Sequence, residues 1–558
     1  MVQGIPYVHV EHTYGIAATA LGYDVTPVFI LESKKGYVNK PILISSPAHL
    51  RREYGVNADL YFALGGAPAY FIRAAYGEPT HATHYIKDVP EEGEDAVEVI
   101  KLVAKRPGSE PIYIKFTATG EGYAQRLNLT VEETEGWSEY YIGVRASYAQ
   151  QKPAIQRLVE KINRESDILE AYFKVTDGTN EKWAKTIEPG HTLVTGTGKY
   201  ATITKTVMGT GTGNIPGDDG DGLKPEEEQK PFDIISDDII TDTEDPNVGF
   251  SPSEIAHAEA LKAAEELEVA CVVCLKALPY EKLEDDDQKV GTGDVYSVYI
   301  DHVDAMNTPE SHAWRFAILG ASDKMNKNEI LERAHIINSE KIVFVGQGLI
   351  DVNGNEWPPY LATMAVAAKV SQTPYNVAIW GGRPRKALRG TFDFLSEPAE
   401  LQGEPIRDED DNIIGFSPAT RQDVIDYNEG GVITFYKDKD GIKIREGVTT
   451  VQQKFLEFFG ISREDELAVV RIINHAKYVT YDACYSMLGE GITSTFQMDL
   501  ETQVAEALNT MVMEGGLIDF SVSSRIQPVL GGAAKVYVDI SITPVHAARQ
   551  IDARIVVM

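Results

Sequence analysis

Cys271 and Cys274 form a C-x-x-C pair, a spacing found in zinc sites and in redox-active disulfides. Neither a second such pair nor a nearby pair of histidines completes the four ligands of a structural zinc site. Both cysteines lie in a continuous apolar run, which is typical of a buried strand. We therefore predict that they are small core residues, and we interpret Cys484, on a predicted helix, in the same way.

Three other segments contain residue types that bind ligands. Residues 196–200 (GTGKY) are similar to a phosphate-binding loop but lack its first glycine and the hydroxyl residue after the lysine. Residues 301–304 (DHVD) could hold a metal, although polar surface residues at the end of a strand have the same pattern. Residues 438–441 (DKDG) lack the distal glutamate of a calcium loop and are interpreted as a hairpin turn. The sequence therefore predicts no catalytic residue, no metal site and no cofactor.

The elements that would have to position such groups follow two patterns. From residue 21 to 80, and again from 250 to 450, apolar strand-like runs alternate with helix signals, which is typical of an α/β domain. Between them, short strands separated by glycine and threonine surround one helix near 152–164. We predict a split α/β middle domain, 21–80 and 250–450, interrupted by a mostly β insertion domain, 81–216.

The chain is strongly acidic. Its 558 residues carry 84 aspartates and glutamates against 52 lysines and arginines, a formal net charge of −32. Twelve of the acidic residues lie between positions 217 and 246 beside only two lysines, so we predict an acidic linker over 217–249. The acidic excess argues against binding nucleic acid or an anionic membrane. With no secretory signal and no apolar run long enough to cross a bilayer, we expect synthesis in a cytoplasm and no direct membrane insertion.

The last hundred residues predict a small α+β domain over 451–544. Ser462 with Asp465 can begin a helix that runs to about residue 488, and Ser494 with Gln497 predicts a capping box for a second helix that ends at the glycines 515 and 516. Two strands follow, and their alternating apolar residues predict one sheet with an edge to fill. These residues are Phe520, Val522, Val536, Val538, Ile540 and Ile542.

Both ends of the chain predict bare strands. Neither the N-terminal arm, 1–20, nor the C-terminal strand arm, 545–558, has a hairpin partner beside it. Unpaired strand edges are a liability in a monomer, so we predict that a neighbouring subunit supplies the missing pairing by strand addition. The apolar arm residues are Tyr7, Val8 and Val10 at the front, and Ile551, Ala553, Ile555 and Val557 at the back.

Several local strings resemble the contractile tail sheath protein of tailed phages and related injection machines. The likeness covers about residues 1–80 and 250–558. One departure is the string Arg445–Thr449, which stands where the family has Trp-Gly-Ala/Gly-Arg-Thr. The strings that carry the likeness are 4–10, 26–30, 69–73, 315–319, 358–359, 361–368, 428–433, 515–520, 536–540, 543–545 and 551–557.

The resemblance implies a structural function. Six subunits would form a ring, rings would stack as a helical sleeve around a tail tube, and arm strands would link neighbouring subunits. Contraction from a metastable extended state would drive the tube through the target envelope without nucleotide. The implied partners are further copies of the chain, the tail tube protein, and the baseplate and tail terminator proteins, in a phage tail virion assembled in the host cytoplasm.

The same resemblance suggests which helix faces the tube. The polar stripe of the helix 463–488 recurs at three- and four-residue spacing, and the alternative interpretation is a solvated helix face. Its residues are Arg471, His475, Lys477, Tyr478 and Asp482. The sequence leaves open whether the particle is a phage tail, a bacteriocin-like device or a secretion-type sheath. A non-contractile shell protein and an α/β enzyme are the less favoured alternatives.

Overall fold

The structure is a computed structural model of the full chain. It describes residues 26–33, 35–55, 59–76, 81–88, 96–106, 112–120, 124–133, 138–147, 152–177, 180–187, 191–194, 199–208, 235, 250–277, 295–308, 311, 313–323, 325–380, 387–388, 393–407, 413–451, 466–528 and 534–545. The predicted arm residues, nearly all of the acidic linker, residues 195–198, and the helix-start residues Ser462 and Asp465 lie outside this part of the chain.

The first half of the chain contributes twelve strands and three helices to the described part. Residues 26–76 form β1 (Pro27–Glu32), β2 (Ile42–Ile44), α1 (Pro47–Tyr54), α2 (Asp59–Ala63) and β3 (Ala69–Ala74). Residues 81–208, here called the β-rich segment, form β4 (Thr83–Asp88), β5 (Val97–Ala104), β6 (Ile112–Thr119), β7 (Arg126–Glu133), β8 (Ser138–Arg145), α3 (Ala154–Glu165), β9 (Leu169–Asp177), β10 (Asn180–Ala184), β11 (Thr192–Leu193) and β12 (Ile203–Val207).

The second half contains the remaining described elements. Residues 250–451 form α4 (Pro252–Ala263), β13 (Cys271–Cys274), α5 (Val295–Met306), β14 (Phe316–Gly320), α6 (Lys327–Ile337), β15 (Ile342–Val345), β16 (Leu349–Asp351), β17 (Glu356–Trp357), α7 (Pro359–Gln372), β18 (Leu395–Pro398), β19 (Gln402–Arg407), β20 (Ile413–Pro418), α8 (Arg421–Glu429), β21 (Val432–Ile433), β22 (Phe435–Asp438) and β23 (Gly441–Ile444). Residues 466–545, here called the C-terminal segment, form α9 (Leu467–Ser486), α10 (Phe496–Met513), β24 (Leu517–Pro528) and β25 (Ala534–Pro544).

A seven-stranded central sheet joins the two stretches predicted to be α/β. Its strand order is β2-β3-β1-β13-β14-β15-β21, and every neighbouring pair is parallel except β2 with β3. Strand β1 shows why the sheet is buried on both faces. Phe29 and Leu31 pack into the core on the α7 side, whereas Val28 and Ile30 pack into the core on the α4 and α5 side. The mixed α/β architecture predicted from the sequence is therefore confirmed.

Helix ends in this region follow local sequence signals. Ser46 caps α1 by accepting a hydrogen bond from the His49 N–H, and Pro47 lies in the first turn. Capping boxes begin α4, α6 and α8, with the pairs Ser251/Glu254, Asn326/Glu329 and Thr420/Asp423. These caps satisfy helix N–H groups that would otherwise have no intrahelical partner.

The β-rich segment has its own core between two sheets. Strands β10-β9-β5-β4, with β11 beside β9, form one sheet, and β12-β6-β7-β8 form the other. Helix α3 packs into the same core through its apolar face. Two ion pairs link this segment to the elements around β1 and α1. Lys35 Nζ lies 2.6 Å from Glu133 Oε2, and Arg106 donates to both carboxylate oxygens of Glu53 at 2.8 and 2.9 Å.

The structure corrects two local predictions and confirms two. Residues 301–304 lie in α5 and not at the end of a strand, and His302 is buried. Helix α10 begins at Phe496 after Thr495, with no side-chain cap, so the predicted capping box of Ser494 with Gln497 is wrong. The hairpin turn at 438–441 is confirmed between β22 and β23. The buried strand that contains Cys271 and Cys274 is confirmed as β13.

Candidate assembly site

The candidate site is the two-stranded sheet of β24 and β25 with the helix that supports it. Helix α10 ends at Met513, and the chain then reverses through Gly515, which has a φ of +78°, and Gly516. A side chain at Gly516 would put its Cβ 2.8 Å from the ring of Tyr375, so the close approach requires glycine here. The pair of glycines thus lets β24 begin directly beneath the end of α10.

The sheet has one apolar and one polar face. All six apolar residues predicted for the sheet pack toward the core formed by α9 and α10. The register pairs Phe520 with Ile542 and Val522 with Ile540, which brings these residues onto one face. On the other face the exposed residues are Asp519, Ser521, Ser523, Arg525, Gln527, Lys535, Asp539 and Ser541. The predicted alternation of apolar and polar residues is therefore confirmed, and helix α10 covers the apolar face of the sheet.

The two strands pair only with each other within the described part of the chain. They are 12 and 11 residues long, so each presents a long outer edge. A sheet of two strands is marginal unless a helix or a third strand supports it. Such an edge offers backbone N–H and C=O groups to an added strand.

The edge of β24 is partly closed by side chains of α10. The backbone N–H of Ser524 donates to Glu501 Oε1 at 2.6 Å, and the backbone C=O of Ser524 accepts from Gln497 Nε2 at 3.1 Å. Gln497 thus donates a hydrogen bond to the sheet and does not cap helix α10. No described side chain bonds to the backbone of β25 in this way, so β25 has the open edge.

The register indicates which backbone groups β25 presents. Both backbone groups of Ser524 point toward α10 and hence away from β25. Ser524 lies opposite Val538, so the two form a pair without mutual hydrogen bonds. The N–H and C=O of Val538 must then point away from β24, toward the outer edge. By the two-residue period, the same holds for Val536 and Ile540.

Helix α9 does not carry the continuous polar stripe that the sequence predicted. Arg471 is buried, and its guanidinium donates to the carbonyl of Thr373 at 2.7 Å. Tyr478 is buried against Trp314 in an edge-to-face contact with ring centroids 4.9 Å apart. Burial lowers the pKa of Arg471 to about 10 and raises the pKa of Tyr478 to about 12. These two residues attach α9 to the rest of the chain, and their predicted placement on an open polar face is wrong.

The other predicted stripe residues differ from each other. His475 is half-buried and stacks on Tyr375, and burial lowers the pKa of its imidazole to about 2. Lys477 is half-buried and Asp482 is exposed. Beside this helix a cleft of about 970 Å³ separates α9 and α10 from the central sheet, lined largely by aromatic and apolar groups such as Trp314 and Met511.

Comparison with known proteins identifies the fold. No protein-family model matches the sequence, and no curated protein matches it. The structure is similar to the sheath tail protein of Desulfitobacterium hafniense, with 10% identity and a TM-score of 0.50 over 96% of this chain and 100% of that one. The sheath tail protein of Listeria innocua aligns with 11% identity and a TM-score of 0.49, over 94% and 96% of the two chains. A chain of the anti-feeding prophage baseplate aligns with 10% identity and a TM-score of 0.43, over 100% and 99%.

The chain has the fold of a tail sheath protein. We base this on the Desulfitobacterium protein, whose whole length the alignment covers. The resemblance inferred from sequence strings is confirmed at the level of the fold. Within the sheath fold, the sheet of β24 and β25 lies within the described part of the chain, whereas the arm residues that we predict to pair with such a sheet do not.

A second polar site within this sheath fold is sealed. Glu32 ends β1, at the sheet edge where α/β enzymes place their active sites. Its carboxylate accepts from Ser253 Oγ at 3.1 Å, Lys276 Nζ at 2.9 Å and the Ile235 N–H at 2.8 Å, and His257 Nε2 lies 3.2 Å away. The side chains of Glu32, His257 and Lys276 have no exposed area. We interpret the cluster as a structural connection that holds Ile235 against the central sheet.

The pKa values fit that interpretation. Burial would raise the pKa of Glu32, but the hydrogen bond from His257 and the charge of Lys276 outweigh it and lower the pKa to about 2. Burial raises the pKa of Cys271 and Cys274 to about 12, which keeps both thiols protonated and unreactive.

Among the described residues, no cluster of His, Cys, Asp or Glu could hold a metal ion. None of the described helices has the length and apolar character needed to cross a membrane.

Proposed function

We propose that this chain is the structural subunit of a contractile sheath and that it has no enzymatic role. The observation that carries the proposal is the open edge of β25 in a chain with the sheath fold. A subunit that must stay connected to its neighbours while they move requires a contact that does not depend on side-chain packing. Backbone pairing with a donated strand provides such a contact.

In this proposal the arms link the subunits. The C-terminal arm of one subunit, with Ile551, Ala553, Ile555 and Val557, adds to the β25 edge of a neighbour. The N-terminal arm, with Tyr7, Val8 and Val10, supplies a further link. Apolar residues at every second position suit this role, because alternate side chains of an added strand point to the same face of a sheet.

Repeated arm links between neighbouring subunits build the tubular sheath. Six subunits form a ring, and rings stack around the tail tube between the baseplate and the tail terminator proteins. The extended sleeve is metastable on the tube, and a trigger from the baseplate lets it relax to a shorter form that drives the tube through the target envelope. The particle is a phage tail, assembled in the host cytoplasm, or a related injection device. For the tube-facing surface we retain Lys477 and Asp482 of the predicted stripe, since the chain itself covers Arg471 and Tyr478.

Electron microscopy of the purified full chain tests the proposal. We expect hollow tubes with a helical surface pattern, formed by the protein alone or after co-expression with a tail tube protein. A chain that ends at residue 545 should remain folded and monomeric, because it keeps the core of α9, α10, β24 and β25 and loses only the donated strand. Tubes from the shortened chain would overturn the strand-addition step, and flat sheets or closed shells from the full chain would overturn the sheath.

A further inference from the structure

The cleft of about 970 Å³ between α9, α10 and the central sheet, here called the aromatic cleft, has no role in the proposed assembly. Its volume is within the range of about 300–1,000 Å³ that ligands occupy in proteins. Pro374, Thr510 and Glu514 are exposed at its rim, so the cleft opens to solvent there. An open cleft with mainly apolar walls indicates an interaction site. Its aromatic wall residues are Trp314, Phe316, Tyr375, His475 and Tyr478.

Two charged side chains that line the cleft have no partner of opposite charge within the described part of the chain. Arg471 is 7% exposed, and its guanidinium donates to the backbone carbonyl of Thr373, whereas its Nη1 has no hydrogen-bond partner there. Glu514 lies at the rim and accepts from the Tyr375 hydroxyl at 3.1 Å. Buried charges are normally paired, so the cleft suits an occupant that carries both an acidic and a basic residue.

The C-terminal arm begins beside the rim of this cleft. The Val545 N–H donates to the carbonyl of Gly516 at 3.2 Å, and Gly516 packs against the ring of Tyr375. Tyr375 stacks on His475 with ring centroids 5.7 Å apart, and Arg471 lies one helical turn from His475. The seven residues after Val545 span up to about 23 Å when extended, so the arm can reach Arg471.

The arm carries matching charges in the matching order. Arg549 comes first after the exit from β25, and Asp552 follows three residues later. From the rim inward, the cleft presents Glu514 and then Arg471. The arm also offers apolar groups for the aromatic wall, because every second residue from 551 to 557 is apolar.

We infer that the free subunit holds its C-terminal arm in the aromatic cleft of its own copy, with Arg549 beside Glu514 and Asp552 beside Arg471. An arm held there cannot add to the β25 edge of a neighbour. The cleft therefore competes with β25 for the same strand and delays polymerisation until the arm is released. This control of polymerisation rests on the proposed function, whereas the docking of the arm does not.

The segment 452–465, which precedes α9, is the competing occupant from the same copy. A bridge between Val448 and Glu466 ties the two ends of that segment together. It would therefore have to enter the cleft as a doubled chain. The arm is tied to the fold at Val545 and enters as a single strand, which needs less room.

Photo-cross-linking of the full chain tests the inference. Light protein with p-benzoylphenylalanine in place of Ile551 is mixed with ¹⁵N-labelled parent protein, at a concentration where sedimentation shows only monomers. The probe reacts readily with methionine side chains, and Met511 lines the cleft. We expect cross-links from position 551 to Met511 and its neighbours in the cleft, all of them within the light protein. The same probe in place of Phe458 should not label the cleft.

Two pairs of variants give matched comparisons. A507W fills the cleft and should reduce the same-copy cross-links at least tenfold, whereas N509W changes an exposed residue outside the cleft lining and should leave them unchanged. D552R places a like charge beside Arg471 and should reduce the cross-links several-fold, whereas Q550R adds the same charge and keeps Asp552. Circular dichroism establishes that A507W is folded. D552R lies in the arm, so it tests the inference without altering the cleft.

The outcomes separate this inference from the proposed function. Cross-links from position 551 of the monomer to β25, or labelling of the cleft from position 458 alone, would overturn the inference and leave the sheath proposal standing. Tubes that form at a lower protein concentration with A507W than with N509W would support the control of polymerisation, and equal concentrations would overturn that control. If no variant forms tubes, the sheath proposal fails, and the cross-links in the monomer still decide whether the arm occupies the cleft.

Discussion

The carboxylate of Glu501 accepts a hydrogen bond from the backbone N–H of Ser524 at 2.6 Å. A side chain of α10 thereby occupies an outer-edge donor of β24, and Gln497 occupies the acceptor of the same residue at 3.1 Å. Edge protection of this kind prevents pairing on the wrong side of a sheet. A donated strand therefore has access to the outer edge of β25 but is obstructed at the outer edge of β24.

Val538→Pro should block polymerisation and leave the hairpin formed. The N–H of Val538 points to the outer edge of β25, so proline removes a donor needed by an added strand and no bond of the hairpin itself. We expect the loss of tubes in electron microscopy. Asp539→Pro is the matched control, because Asp539 pairs with Ser523 at a position where the two strands exchange hydrogen bonds, and it should lower the melting temperature more. Tubes formed by Val538→Pro would contradict β25 as the receiving edge.

Val538→Pro should prevent association, whereas removing the side chains that protect the edge of β24 should promote unspecific association. In the double variant Gln497→Ala/Glu501→Ala the backbone of Ser524 loses both partners. We expect a loss of about 1–3 kcal/mol in the free energy of unfolding, together with disordered aggregates at concentrations where the parent protein forms tubes. Light scattering and electron microscopy measure the aggregates. Thr502→Ala, on the exposed part of the same helix, serves as the control and should behave like the parent.

Arg471→Met should loosen α9 from the rest of the chain. The guanidinium of Arg471 satisfies the carbonyl of Thr373, and methionine fills similar space without a donor. Leaving a buried acceptor without its partner costs about 1–3 kcal/mol, which denaturant unfolding would measure. Asp482→Asn on the exposed side of α9 is the comparison and should stay within about 0.5 kcal/mol of the parent. Equal stability of the Arg471→Met variant and the parent would mean that water replaces the guanidinium.

Much of the fold follows from local patterns in the sequence. The parallel strands of the central sheet are short apolar runs, and the final sheet alternates apolar and polar residues, so both could be predicted. The position of α9 could not, because Arg471 and Tyr478 have polar groups that helical spacing alone places on a polar face. Their burial depends on a distant carbonyl at Thr373 and a distant ring at Trp314.

The sealed cluster and the edge protection show the same limit. Lys276 interrupts an apolar run, which is a signal that a buried partner exists, but its partner Glu32 lies 244 residues away. Gln497 fits the spacing of a capping box equally well, and only the arrival of Ser524 beside α10 decides its role. Long-range pairings of polar groups depend on the tertiary fold, which local periodicity does not specify.

The Glu32 cluster should make the protein sensitive to acid. The pKa of Glu32 falls from 4.5 to about 2 on folding. A carboxyl group whose pKa is lower in the folded state stabilises the fold above its unfolded value, and this contribution is lost as the pH falls from about 4.5 toward 2. The difference corresponds to about 3 kcal/mol at neutral pH. Urea unfolding at pH 7, 4 and 3 measures it. Glu32→Gln should be less stable at pH 7 and should lose less stability on acidification, and a parallel pH dependence of the two proteins would show that other carboxylates dominate.

We expect that the ion pair of Lys35 with Glu133 can be replaced by a pair of apolar residues, whereas removing either partner alone should destabilise the protein. Both side chains are nearly covered, with 6% and 3% of their area exposed, and they join the β-rich segment to the elements around β1. Lys35→Met or Glu133→Leu alone removes one partner of the 2.6 Å contact and leaves the remaining buried charge facing an apolar side chain, at a cost of about 3–5 kcal/mol. The double variant replaces the pair by apolar contact and should be close to neutral. Differential scanning calorimetry of the four proteins measures the coupling. Single variants as stable as the parent would mean that water reaches the pair. The β-rich segment would then be held chiefly by the ion pair between Arg106 and Glu53.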